Sequence, residues 1–405
     1  MKPDTWTPEK FNEAAKKEAD NLEHMNKMGS KDPTHFIRGI AYYTQAGGHF
    51  FLFPWAEGGN LEQYWATADP TRESTHCWAL RQMAGLASCI HKLHDGNYRH
   101  GDLKPQNILC FGDSNSADGL RLVIADVGLA KVHKEFTQFR EGATATDATS
   151  VTYSPPEFEL NSLLKKPISR LLDIWSIGCL FLEFVIWLAA GKDALHIFRE
   201  GLRGEDLRRP PVPFWVQNPG SPQRELHPMV TGPIDILLGN LKSGSPLHHV
   251  VELIKNRMLV IEISPHNKQL PRMDSEGEVG SASPSLQVTP ATTNFGIDHT
   301  YGPYRAEAKE FNETMSTILK GVNTTTYKFE RAEVAKAITA MPGRDDLLSA
   351  GNARRTPRGG GETPKIGKPL VCRCVQFGRF SYLRIIYSQL SFPSRMYVKS
   401  PRELK

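Results

Sequence analysis

The residues from Asp173 to Leu188 are apolar on nearly every face of a helix, and this stretch constrains the fold of the chain more than any other. A helix that is apolar all round lies either at the centre of a domain or in a membrane. Glu183 inside the stretch and Asp173 at its start oppose the membrane alternative, because ionised side chains are costly in lipid. The sequence therefore predicts a buried core helix, and 405 residues with 40% hydrophobic content can surround it.

A second stretch, Tyr98-Arg-His-Gly-Asp-Leu-Lys-Pro-Gln-Asn-Ile-Leu109, concentrates chemical groups. A carboxylate, an ammonium group and a carboxamide lie within six residues. Asp102 can accept the proton of an attacking hydroxyl, Lys104 can neutralise a phosphoryl group, and Asn107 can offer its amide oxygen to Mg²⁺. The alternative is a polar surface turn before a strand.

This run resembles the catalytic loop of eukaryotic protein kinases, whose pattern is His-Arg-Asp-Leu, three residues and Asn. The match keeps His100 and Asn107 in register but has Gly101 where arginine is usual. The resemblance implies an α+β, protein-kinase-like fold: a truncated N-lobe with the family's αC helix and its fourth and fifth strands, plus a mainly helical C-lobe. It implies that His100 is structural and that Asp102, Lys104 and Asn107 are catalytic. Lys104 favours serine/threonine over tyrosine kinases.

An apolar run ends at Asp126 and is followed by Val127 and Gly128. Asp-x-Gly alone describes many turns. Behind an apolar strand it resembles the Asp-Phe-Gly segment of kinases, with Val127 in place of Phe. The resemblance implies that Asp126 and Asn107 hold Mg²⁺, and that the cofactors are ATP and Mg²⁺.

The first 61 residues resemble the end of a kinase N-lobe. Residues 9 to 28 show helical periodicity and match the αC helix, which puts Glu18 opposite an ATP-binding lysine. A solvated Glu18 in an i,i+4 pair is the alternative. Residues 36 to 43 and 49 to 53 predict two strands around a turn, and residues 54 to 61 resemble the hinge. The resemblance implies adenine contacts from Phe53, the Ala56 backbone and Leu109; a plain core leucine is the alternative for Leu109.

The segment from 130 to 157 resembles an activation segment. Ser150 lies seven residues before Glu157 in Tyr153-Ser-Pro-Pro-Glu157, which is similar to the family's Ala-Pro-Glu end. The resemblance implies that Asp173 anchors the catalytic loop and that Arg272 pairs with Glu157, although an arginine ending a loop is often a solvated charge. Without an arginine at Gly101, loop phosphorylation is not expected to be the main switch.

These assignments predict four regions. Residues 1 to 56 form a residual N-lobe, with the hinge at 54 to 56, and residues 57 to 273 form the C-lobe. Residues 274 to 304 are rich in Ser, Pro, Gly and Thr and are predicted to be flexible. Residues 305 to 405 are predicted to be an extra helix and a basic, largely disordered tail.

Two kinase features are absent from the sequence: a glycine-rich loop and a lysine on a strand before Glu18. We therefore expect little or no kinase activity from the chain as written, and an N-lobe hairpin with an exposed edge. Three functions stay open: a serine/threonine kinase, a pseudokinase or C-lobe scaffold that acts as a binding module, and a small-molecule phosphotransferase of related fold.

The charge and the cysteine content limit which cellular locations and partners are expected for the protein. Six cysteines show no disulfide framework, which predicts reduced thiols and a cytoplasmic or nuclear location. The net charge is +5, but residues 354 to 405 alone carry 12 Lys and Arg against two Asp and Glu. This basic tail can bind anionic partners weakly, while no specific nucleic-acid partner and no membrane span are expected. The protein substrate is not identifiable from the sequence.

Overall fold

The computed structural model describes most of the two predicted lobes. The described ranges are 35–45, 48–113, 119–126, 151–163, 169–203, 212–218, 223–263, 304–324, 331–341, 373–377 and 380–387, with seven further helical positions between 12 and 26.

Helices and small sheets alternate along the chain, which confirms the predicted α+β class. The helices are α1 (Leu61–Thr67), α2 (Glu73–Asp95), α3 (Pro156–Leu163), α4 (Leu171–Arg203), α5 (Pro228–Asn240), α6 (Pro246–Leu253), α7 (Ala308–Lys320) and α8 (Arg331–Thr339). A 3₁₀ turn spans Pro105–Asn107, another spans Gly321–Thr324, and a π turn, Ile254–Met258, continues α6. The strands are β1 (Ala41–Gln45), β2 (Gly48–Pro54), β3 (Ile108–Gly112), β4 (Leu120–Ile124), β5 (Trp215–Gln217), β6 (Arg224–Leu226), β7 (Arg373–Phe377) and β8 (Phe380–Tyr387).

Helix α4 is the predicted core helix. Every residue from 171 to 190 is buried, and Gly191, at φ +89°, breaks the helix before its second half. By length and composition α4 is the one helix in the described ranges that could cross a membrane, but its whole apolar window is buried inside the protein. Each of its large side chains contributes about 1.5–3 kcal/mol by leaving water. The core helix therefore holds the C-lobe together.

The other C-lobe helices pack around α4. Apolar residues recur along α2 at alternating spacings of four and three, which predicts an amphipathic helix, and all of them are fully buried: Ala79, Met83, Leu86, Ile90 and Leu93. Helix α7 packs against α2 and α6, and α8 packs against α4 and α5. The C-lobe thus extends beyond the predicted boundary at residue 273.

The N-lobe sheet has four antiparallel strands in the order β1-β2-β8-β7. The predicted hairpin of β1 and β2 is present, and its β2 edge is covered, because β8 pairs with β2 from His49↔Tyr387 to Pro54↔Tyr382, while β1 is an edge strand of the described sheet. Within residues 305 to 405, expected to be an extra helix and a largely disordered tail, the described ranges contain helices α7 and α8 and this hairpin. A basic, Gly- and Pro-containing composition does not reveal pairing with a strand more than 300 residues away.

The N-terminal helical positions pack on this sheet. Asn12 Oδ1 lies 2.8 Å from His49 Nε2, and Asn26 exchanges two hydrogen bonds with the Gly39 backbone. Leu22 is buried, which agrees with the periodicity that predicts a helix over residues 9 to 28.

Candidate active site

The predicted catalytic loop leaves the C-terminal end of α2 and enters β3 through the 3₁₀ turn. Its backbone is fixed by Asp173 on α4, whose Oδ2 accepts from His100 N and whose Oδ1 accepts from Gly101 N, each at 2.8 Å. Oδ2 also lies 2.9 Å from His94 Nε2. The side chain of Asp173 is fully buried. Although burial alone would raise its pKa, the hydrogen bond and charge of His94 hold the pKa of Asp173 below its ordinary value.

His100 joins this loop to the strand that carries Asp126. Its Nε2 donates to Ala125 O at 2.7 Å, and its Nδ1 accepts from Asp102 N at 3.2 Å. These partners require a neutral ring with the proton on Nε2. Burial lowers the pKa of His100, which favours the same neutral form.

Gly101 replaces the usual arginine at a backbone position with φ +80°. Side chains with a Cβ are strained in this left-handed region, whereas glycine is not. The departure from the family pattern therefore suits the local backbone.

Asp102, Lys104 and Asn107 form one hydrogen-bonded group. Asp102 Oδ2 accepts from Lys104 Nζ at 2.8 Å and from Asn107 Nδ2 at 3.1 Å. Asn107 Nδ2 also donates to Asp102 O at 2.8 Å. Because Asn107 Nδ2 donates both of these hydrogen bonds to Asp102, Oδ1 of Asn107 is the side-chain atom that can bind a cation. Lys104 and Asn107 are buried, while the Asp102 side chain is 23% exposed and accessible to a hydroxyl.

Asp126 lies two residues after the end of β4, and between them Ala125 N donates to Asn107 O at 2.9 Å, so this strand end and the catalytic loop are hydrogen-bonded to each other. Oδ1 of Asp126 is buried and has no hydrogen-bond partner within the described residues. Burial, with the negative charge of Asp102, raises the pKa of Asp126 to about 6. The residue also has φ +61°, a strained value for aspartate.

These observations fit a magnesium site. An orphaned, buried carboxylate oxygen beside a second carboxylate and an amide oxygen is an arrangement that a hard divalent cation stabilises. The predicted ligands Asn107 and Asp126 supply such oxygens on neighbouring backbone segments.

The predicted adenine contacts lie together on the N-lobe side. Phe53, Ala56 and Leu109 are buried in one small apolar cluster, separate from the main core, with Ile37 and Val123 among its other members. Ala56 O accepts from Gly59 N at 3.1 Å, which uses one of its two lone pairs.

The hinge that leads to this cluster is held by polar contacts. Gly58 N donates to Cys110 O at 3.0 Å, and Asn60 and Gln63 form a capping box at the start of α1. The chain is therefore fixed where it passes from β2 into the C-lobe.

Glu157 has an arginine partner, but the predicted one is replaced. Arg305, just before α7, donates from Nη2 to Glu157 Oε2 at 3.1 Å and from Nη1 to Oε1. The Arg305 side chain is fully buried and stacks 4.9 Å from the Trp175 ring centroid. The assignment of this partner to Arg272 thus does not describe the pair. Arg272 lies 33 positions before Arg305 in the sequence. The helical periodicity that starts at residue 305 was the one sequence signal for the correct arginine.

A second buried ion pair was missed altogether. Arg199, in the second half of α4, forms a bidentate pair with Glu183 at 2.8 Å for both bonds, and Tyr153 OH donates to Glu183 Oε2 at 2.9 Å. This pairing explains how a carboxylate is accommodated in an otherwise apolar helix.

Three predicted site residues lie outside the described residues: Glu18, Ser150 and Arg272. Val127 and Gly128, the rest of the Asp-x-Gly segment, also lie outside them. The roles assigned to Glu18, Ser150, Val127 and Gly128 stay predictions, whereas the pairing assigned to Arg272 is made by Arg305 in the described residues.

Comparisons with known proteins agree with this geometry. The model of the protein kinase domain family matches residues 7–194. Cyclin-dependent kinase 8 of Drosophila melanogaster is 38% identical over 116 residues, which cover 28% of this chain and 23% of that protein.

Two further relatives match over similar lengths. Mitogen-activated protein kinase 15 of Caenorhabditis elegans is 34% identical over 108 residues, covering 26% of this chain and 21% of that protein. A death-associated protein kinase related protein of Drosophila melanogaster is 36% identical over 129 residues, covering 32% and 17%. The alignments thus span about a fifth of the length of these relatives.

Proposed function

Because this chain belongs to the eukaryotic protein kinase superfamily, with a serine/threonine-protein kinase of Arabidopsis thaliana among its relatives, we propose that it transfers the γ-phosphoryl group of Mg-ATP to a serine or threonine hydroxyl of a protein. The observation that carries the proposal is the hydrogen-bonded group of Asp102, Lys104 and Asn107 beside the orphaned carboxylate of Asp126. The family uses such a group for phosphoryl transfer.

Asp102 is the proton acceptor in this proposal. Lys104 and Asn107 fix its carboxylate, so that a substrate hydroxyl in hydrogen-bond reach can give up its proton as its oxygen bonds to the γ-phosphorus. The bond from the γ-phosphorus to the oxygen that bridges it to the β-phosphate breaks, and ADP leaves. Lys104 Nζ balances the charge on the phosphoryl oxygens.

Asn107 and Asp126 are the proposed magnesium ligands. The bound ion would neutralise the charge of the β- and γ-phosphates. Asp126 is held for this task by the strained backbone at the end of β4, and Asn107 by its two bonds to Asp102. The proposed adenine-binding site is formed by Phe53, Ala56 and Leu109, since an apolar, buried cluster next to a hinge suits a flat heterocycle.

A second candidate function is a binding module, favoured by the sheet topology. Strand β2 is paired on both edges, by β1 and β8, and none of the four described strands of this sheet contains a lysine. An active kinase holds the ATP phosphates with a strand lysine. We therefore expect the rate of the chain as written to be low, because loss of one preorganised charge donor lowers a rate on the order of 10²–10³-fold.

The test is phosphoryl transfer by the purified full chain, from radiolabelled ATP to a mixed serine/threonine peptide library. A slow, magnesium-dependent incorporation that Asp102→Asn abolishes supports the kinase proposal. Asp193→Asn, an exposed aspartate on α4, is the matched control and should retain the rate. Incorporation equal in Asp102→Asn and the unmodified chain, or none in either, would overturn the kinase proposal, and the second outcome would favour the binding module.

A further inference from the structure

Helix α6 carries three side chains that the proposed kinase chemistry does not use. His249 Nδ1 forms a hydrogen bond of 3.0 Å with Glu252 Oε2, and His248 Nδ1 lies 3.4 Å from the same oxygen. One donor atom from each residue lies within 4.8 Å of the other two. Two imidazoles and a carboxylate are a ligand set that zinc commonly takes.

The spacing of these atoms fits a single ion. Zinc binds imidazole nitrogen and carboxylate oxygen at about 2.0–2.1 Å, so two donors in a tetrahedral site lie roughly 3.3 Å apart. The separations of 3.4 and 3.0 Å from Glu252 Oε2 bracket that value. The two rings are nearly perpendicular, with an interplanar angle of 85°, so their donor atoms approach from different directions.

Burial gives a second reason to expect a ligand. The side chains of His248 and His249 are only 12% and 11% exposed. Nδ1 of His248 is fully buried, and within the described residues it forms no aligned hydrogen bond. A buried ring nitrogen beside a carboxylate, without a hydrogen bond, is destabilising unless another group satisfies it.

The position of the cluster connects it to the rest of the C-lobe. The π turn begins two residues after Glu252, and π turns within helices occur frequently at functional sites. Arg257 in that turn forms a bidentate pair with Glu310 on α7 and donates to Tyr304 O, next to Arg305. The cluster therefore lies on the helix that continues into the segment anchoring the Glu157 partner.

We propose that His248, His249 and Glu252 bind one zinc ion, with water as the fourth ligand. The open fourth position and the three-residue ligand set distinguish this site from a closed structural zinc site. It is also distinct from the proposed magnesium site, which offers oxygen ligands alone.

The test uses the tag-free full chain with Co²⁺ as a spectroscopic substitute for Zn²⁺, and with Zn²⁺ itself in calorimetry. We expect one equivalent of metal and the visible absorption of tetrahedral cobalt without a thiolate band. The double variant H249Q/E252Q should weaken binding more than about 100-fold, because two of the three protein ligands are lost, and alteration of a residue that only supports a ligand already costs about 10–100-fold. His196→Gln, an exposed histidine on α4, should bind as the unmodified chain does.

Thermal unfolding gives a second readout that does not depend on activity. Saturating Zn²⁺ should raise the melting temperature of the unmodified chain and of His196→Gln but not of H249Q/E252Q. Absence of metal binding, binding that the double variant retains, or a cobalt-thiolate band in place of the expected spectrum would overturn the proposal; the last outcome would assign the metal to cysteines.

Discussion

The two lobes differ in the origin of their contacts. The C-lobe is built around one fully buried helix, and the buried charges of that core, Asp173, Glu183 and Arg305, each have close partners. The N-lobe sheet joins two strands from residues 41 to 54 with two from residues 373 to 387, above a small apolar cluster. The groups proposed for chemistry thus lie on a deep core, whereas the proposed adenine-binding site depends in part on a pairing between distant segments.

The largest effect is expected from Asp173→Ala in the C-lobe. It removes the acceptor of two loop amides and of His94, and leaves these donors buried. We expect a loss of about 3–5 kcal/mol in the free energy of unfolding, measured by urea denaturation. Asp193→Ala, on the same helix but exposed, should change stability by less than about 0.5 kcal/mol. A loss below about 1 kcal/mol in Asp173→Ala would show that the loop is not anchored there.

Arg305→Met is expected to be the next most damaging change. It leaves the Glu157 carboxylate, which is 14% exposed, without its bidentate partner, at a cost of about 3 kcal/mol. Glu157→Gln combined with Arg305→Met should recover part of this loss, because no unpaired charge remains. A double-mutant cycle in urea measures the coupling, and purely additive effects would contradict a direct pair.

Asp126→Asn is expected to stabilise the chain, in contrast to the two changes above. Because the folded-state pKa of Asp126 is raised from 3.8 to about 6, the folded chain binds more protons between these values, and its stability falls as the pH rises through that window. Asparagine removes this penalty, so the variant should be more stable than the unmodified chain by up to about 3 kcal/mol at pH 7.5, and nearly equal to it in stability near pH 4. Urea denaturation at both pH values measures the difference. Equal stability at pH 7.5 would mean that the carboxylate is not destabilised in the folded chain.

Removal of residues 370 to 405 tests whether β2 in the N-lobe sheet pairs with the distant strand β8. We expect hydrogen exchange in β2 to increase by about tenfold or more, because half of its ladder is lost, while the core amides of α4 keep their protection. Overall stability should fall by about 1 kcal/mol or less. The control is a chain that ends at Tyr387 and keeps β7 and β8; it should exchange as the full chain does. Unchanged exchange in β2 would contradict the pairing with β8.

Local patterns predicted much of the C-lobe. The all-round apolar character of residues 173 to 188 is sufficient for a core helix, and the four-three spacing from Ala79 to Leu93 is sufficient for an amphipathic one. The placement of Asp102, Asn107 and Asp126 near one another followed from the family pattern, since spacing alone could not bring residue 126 to residue 107. The structure adds the contact that does so, between Ala125 N and Asn107 O.

Non-local pairings were not predictable in the same way. Arg305 and Glu157 are 148 residues apart, and nothing in either local sequence specifies the other. The pairing of β2 with β8 could not be predicted either, because tertiary contacts set strand register. In addition, residues 373 to 387 lie in a basic, Gly- and Pro-containing region, whose composition does not indicate a strand. The apolar run from Leu247 to Ile263 by itself predicts one helix. The structure has a shorter helix, Pro246–Leu253, followed by a π turn, because packing that periodicity does not encode decides where the helix ends.

The central claim is that the C-lobe of this chain holds a magnesium-dependent nucleotide site, and calorimetric titration of the full chain with ATP, with and without Mg²⁺, tests it most directly. The account predicts binding that requires Mg²⁺, that Asp126→Asn abolishes and that Asp193→Asn retains. Asp126→Asn should lose binding although it is the more stable protein, so unfolding cannot explain the loss. ATP binding that is independent of Mg²⁺ or insensitive to Asp126→Asn, or no binding at all, would contradict the claim.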